Sequence, residues 1–134
     1  MWSNFGPALL ARLPMQSLNG STKLSPRWTD VAIALARFRN EYTENDWDGQ
    51  GAIAIHEDLI DSVTHLAEFL QARGVAAPNW TLPWFDGFIL FEWNLEDGSR
   101  IGVELTAPNV GEISISSLSG HETLEVPSEG AAAV

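Results

Sequence analysis

The string Glu44-Asn45-Asp46-Trp47-Asp48-Gly49-Gln50-Gly51-Ala52 has the residue types and spacing closest to a cation site. Glu44, Asp46 and Asp48 fall on the first, third and fifth positions of a calcium loop of the EF-hand kind, and Gly49 on the sixth. Such a loop closes with a bidentate Glu at its last position, and here that position is Ile55. The better reading is structural. Gly49 and Gly51 permit backbone angles that other residues resist, Trp47 folds back as an apolar plug, and the acids satisfy nearby backbone N–H groups.

Two other groupings bear on chemistry. Glu92 and Glu104 fall on the same face of neighbouring strands, and paired carboxylates can act as acid and base on a glycosidic bond. On an open polar sheet face they more commonly keep the sheet soluble. His56 and His65 share a helix but lie nine residues apart, so they point in different directions and do not make a helical metal pair. His121 sits beside a turn. The absence of cysteine removes disulfides, thiolate ligands and thiol nucleophiles. No G-x-S-x-G elbow and no Walker-type phosphate loop is present. No catalytic residue, metal ligand or cofactor is therefore assigned.

Charge points to partners. Residues 1–40 hold five of the seven basic side chains (Arg12, Lys23, Arg27, Arg37, Arg39) and a single acid, Asp30. Residues 41–134 hold 17 acids against Arg73 and Arg100, and the whole chain carries −11. Such a body repels phosphates and anionic lipid and attracts basic protein surfaces. The expected partner is a basic protein, with no direct nucleic acid and no membrane. No apolar run reaches membrane-spanning length, and no basic n-region precedes Ala8-Leu9-Leu10, so a cytoplasmic protein is expected.

The elements that must position these groups follow from periodicity. A short helix over 7–13 should stop at Pro14. Ser25 as cap and Pro26 at the first helical position predict a helix over 26–42, with Trp28, Val31, Leu35, Phe38 and Tyr42 in one stripe. A second long helix begins near His56 and ends at Gly74, burying Leu59, Val63, Leu66 and Leu70. From Trp80 the period changes from helical to alternating, giving four strands around Ile89–Trp93, Ile101–Leu105, Ile113–Ile115 and Leu124–Val126. A three-residue Glu96-Asp97-Gly98 loop pairs Trp93 with Ile101 and Phe91 with Val103. A two-residue Ser119-Gly120 loop would set Ile115 against Leu124 and Ile113 against Val126.

The expected fold class is α+β: two helices followed by a four-stranded antiparallel β-meander packed on one face. One domain spans 25–127. Residues 1–24 form a poorly ordered or short-helix segment, and 128–134 a frayed tail. Trp47-Asp48-Gly49-Gln50-Gly51-Ala52, a helix, and then Asp86-Gly87-Phe88-Ile89-Leu90-Phe91-Glu92-Trp93 resemble a group of small uncharacterised bacterial proteins with W-D-G-x-G-A ahead of a D-G-x-I-x-x-E-W strand. The resemblance covers residues 45–106. It implies the helix-then-meander order and carries over no catalytic residue.

Phe88 and Leu90 fall on the sheet face not given to the helices, next to Trp80, Trp84 and Phe85. The aromatics are read either as a packed lip over the core or as a binding ridge. With Glu92, Glu104 and Glu125 further along, the face reads as a protein-binding surface whose contact residues are Glu92, Glu104, Glu125, Phe88, Leu90 and Trp84. The expectation is an acidic non-catalytic protein that neutralises a basic, nucleic-acid-handling partner, in the manner of an antitoxin, an immunity protein or an anti-CRISPR protein. The alternatives are a small hydrolase using Asp46, Asp48 and His56, and a self-associating structural subunit that forms a homodimer through the Phe88/Leu90 face. Solubility alone is the plain explanation of the charge.

Overall fold

The computed structural model describes residues 6–16 and 26–126. They form three helices, α1 (Pro7–Leu10), α2 (Trp28–Glu41) and α3 (Glu57–Ala72), and five strands, β1 (Trp80–Pro83), β2 (Ile89–Asn94), β3 (Arg100–Ala107), β4 (Val110–Ser117) and β5 (Gly120–Val126). The strands form one antiparallel sheet in sequence order. The class is α+β as expected; beside the two long helices stands the short α1, which ends at Leu10 rather than Leu13, and the sheet has one strand more than the four expected.

The helical layer forms where the apolar stripes predict. Trp28, Val31, Leu35 and Phe38 are buried on α2; Leu59, Val63, Leu66 and Leu70 are buried on α3. They pack against Ile89, Phe91, Trp93, Ile101, Val103, Leu105 and Ile113 from alternate positions of β2, β3 and β4. Two indole N–H groups are satisfied at this seam. Trp28 Nε1 donates to Val75 O at 2.9 Å, and Trp93 Nε1 to Ala76 O at 2.8 Å. Residues 6–16 join the same layer: Leu13 is buried, and Ala76 N–H donates to Pro14 O at 2.9 Å.

Several boundaries differ from expectation. Helix α2 begins two residues after Pro26, with Arg27 as its cap and Arg27 N–H donating to Asp30 Oδ2 at 3.2 Å. The proposed cap Ser25 and the tail 128–134 lie outside the described residues. The Glu96-Asp97-Gly98 loop has the expected register, with Leu95 N–H donating to Ser99 O at 2.9 Å and Trp93 opposite Ile101. The β4–β5 register is corrected by two residues. Leu118-Ser119 forms the turn, Ile113 faces Leu124, Ile115 faces Glu122 and Gly111 faces Val126. A slip of two leaves every side chain on its original face, so alternation does not distinguish the two registers.

β1 was missed for a different reason. It is four residues long and ends in Pro83, too short to show alternation. It is an edge strand, where proline is tolerated because one side of its backbone needs no partner in the sheet.

Candidate functional site

Among the described residues, the helices cover one face of the sheet and leave the other open. On the open face, cross-strand register sorts the side chains into rows. Leu82, Leu90, Glu104, Glu112 and Glu125 form one row across all five strands. Trp80, Glu92, Gly102, Ser114 and Thr123 form the next, and Asn94, Arg100, Ser116 and His121 the third. An apolar corner at β1–β2 thus passes directly into three carboxylates on successive strands.

That row is electrostatically costly. Residues directly opposite in neighbouring strands hold their Cβ atoms about 4.5–5.5 Å apart, and like charges there are destabilising. The Glu104 carboxyl is accordingly pushed above the usual carboxylate range, first by partial burial, then by Glu112, then by Asp86 at the β1–β2 turn.

Most cations of the described residues are paired elsewhere. Arg12 pairs with Glu122, Arg37 with Glu41 at 2.6 Å, and Arg39 with Asp61 at 2.5 Å and Glu57 at 3.9 Å. Arg27 pairs with Asp30 at 3.6 Å. Among the described residues, Asp86, Glu92, Glu104, Glu112 and Glu125 take part in no ion pair, and Arg100 is the one cation on their face. The helical layer neutralises much of its own charge; the open face does not.

Beside the acidic rows lies the aromatic corner. Trp80, Trp84 and Phe85 are 54%, 41% and 56% exposed, and Ile53 is 52% exposed. The Trp84 and Phe85 rings meet in a tilted contact with centroids 5.6 Å apart. Phe88 and Leu90 are half-buried. Of the two readings of these aromatics, the packed lip accounts for Phe88 in part, and the exposed ridge describes Trp80, Trp84 and Phe85.

The 44–52 string is built as a self-satisfied loop. Asp46 adopts φ 64°, and its Oδ1 accepts Gly51 N–H at 2.6 Å. Asp48 Oδ1 accepts from Gln50 N–H at 2.8 Å and Ala52 N–H at 3.0 Å, which holds its carboxyl below the usual range. Trp47 packs on Tyr42 at 4.5 Å and donates to Ile53 O at 2.9 Å. The loop then meets the second string. Ile53 N–H donates to Phe85 O at 2.8 Å, and Gly87, at φ +84°, would place a Cβ 2.9 Å from Ala54 O. The two sequence strings are therefore one joint. Among the described residues, no three His, Asp or Glu side chains converge in a metal-holding group.

Of the six residues expected at the site, Glu92, Glu104, Glu125 and Leu90 share the open face, Phe88 leads into it, and Trp84 stands at its rim. Sequence reasoning missed Glu112, because β4 was begun at Ile113; extending the alternation one step back would have found it. Trp80 and Leu82 were missed with β1. No protein-family model matches the chain, and no match is found among the curated proteins or the solved structures.

Proposed function

We propose that the protein is a non-catalytic binding protein that docks a basic protein partner on the open face of its sheet. The observation that carries this reading is the Leu90–Glu104–Glu112–Glu125 row, which brings carboxylates together without an ion-pair partner among the described residues. Solubility needs net charge but not charges set opposite one another across a ladder. A partner presenting Lys or Arg would neutralise the row, while the Trp80/Leu90 corner supplies the apolar contact area that interfaces draw on. Neutralisation of a nucleic-acid-handling protein, of the antitoxin, immunity or anti-CRISPR kind, is the form that best suits such a surface, since carboxylates would stand where phosphates bind.

The hydrolase alternative is disfavoured by the loop geometry: Asp46 and Asp48 are spent on backbone N–H groups. Self-association through the same face would set uncompensated carboxylates against each other.

The test is affinity capture from the native host, followed by surface plasmon resonance at two salt concentrations. Glu92→Lys and Glu104→Lys should slow association and flatten its salt dependence, since charge steers encounter. Phe88→Ala should chiefly speed dissociation. Association insensitive both to salt and to these reversals would contradict the reading.

A further inference from the structure

The edge of the sheet next to α2 carries an inference that rests on the basic-partner reading and specifies the form of the partner. Trp84 N–H donates to Phe88 O at 2.9 Å, which sets the parity of β1. Counting back by twos, Leu82 and Trp80 turn their backbone groups toward β2, and Thr81 and Pro83 turn theirs away. Pro83 has no N–H to waste at that position. Thr81 N–H and C=O point out of the sheet and meet no partner among the described residues.

These free groups open into a groove. Two clefts, of about 530 and 390 Å³, lie between β1 and α2 and share Asp30, Ala34 and Thr81. The first extends to Val31 and Trp80, the second to Phe38 and Pro83. One cleft therefore lies on each side of Thr81, and alternate side chains of an extended strand repeat about every 6.6–6.8 Å.

We propose that an extended segment of the basic partner adds to β1 as a sixth, antiparallel strand. The residue opposite Thr81 exchanges two hydrogen bonds with it and faces inward. Its inward neighbours enter the two clefts, and the apolar Phe38 and Pro83 walls call for an aliphatic side chain. The outward residues lie over Trp80, whose cross-strand neighbour Glu92 pairs with no cation among the described residues. Lys or Arg at that position gains both the ring face and the carboxylate. A second copy of this chain does not fit the groove: its own α2 flanks its own β1 and would fill the same space, and each chain carries −11.

The probe is a fluorescein-labelled peptide of alternating Lys and Val, compared with the same peptide carrying N-methylated valines, which keeps the charge and removes the inward donors. Anisotropy reports affinity, and NMR-detected amide exchange reports Thr81. Binding weakened at least about tenfold by methylation, with Thr81 exchange slowed by the unmethylated peptide, is expected. Equal binding of both peptides with Thr81 unaffected overturns strand addition and leaves the open-face reading standing. Protection of Thr81 that rises with protein concentration alone overturns it in favour of a second copy. Failure of both peptides to bind at low salt contradicts the basic-partner reading as well.

Discussion

Glu104 is where the open face is most strained. Its raised pKa means that the folded chain holds the proton more tightly than the unfolded chain does. Stability from this group is therefore greatest at low pH and declines as pH rises from the unfolded value through the folded one. Glu104→Gln should remove that decline and relieve the repulsion from Glu112, stabilising the protein by about 0.2–1 kcal/mol at neutral pH. Thermal melts at pH 4 and pH 7 check this: the variant should gain at pH 7 and show little change at pH 4. Asp48 and Asp97 act in the opposite sense. Each is held below its usual range by hydrogen bonds, from Gln50 and Ala52 for Asp48 and from Ser99 for Asp97. Their contribution is present above the unfolded carboxylate range and is lost as pH falls through their depressed values.

At the scale of elements, the joint between the 44–52 loop and the β1–β2 turn fixes where the aromatic corner stands. Gly87→Ala places a methyl against Ala54 O in a backbone conformation that alanine resists. It should cost about 1–3 kcal/mol, read as a lower urea midpoint, with local change centred on Trp84 and Phe85. Both helical stripes and the β2–β3 register were legible in the sequence, because burial on one face imposes a clear period on Trp28–Phe38 and on Ile89–Trp93. What was not legible has physical causes. β1 is too short and too proline-marked to show a period. The β4–β5 register differs from the expected one by two residues, which preserves both faces. Glu112 was lost only because its strand was started one residue late. The acidic face itself was visible in outline, through Glu92, Glu104 and Glu125. The alignment of Glu104 and Glu125 with Glu112 in one row required the ladder.

For the whole molecule, the layers divide the work. The helices and the inner face of the sheet form the core together, and the helical side consumes much of the positive charge; the outer face of the sheet presents carboxylates and aromatics. Val103 sits fully buried at the centre of this arrangement, and Val103→Asp should abolish the cooperative melt, at a cost above about 4 kcal/mol. A melt like the parent's would show that the core is elsewhere. Long-range attraction depends on total charge, whereas docking depends on where the charge lies. The most direct test therefore holds net charge constant and moves only its position. Glu104→Lys/Glu112→Lys on the sheet is compared with Glu44→Lys/Glu68→Lys on the loop and α3, all as bait for capture from the native host. The sheet variant should lose a basic protein that the parent and the loop–helix variant both retain. Equal retention by the two variants, or equal loss, would contradict a docking site on the open face.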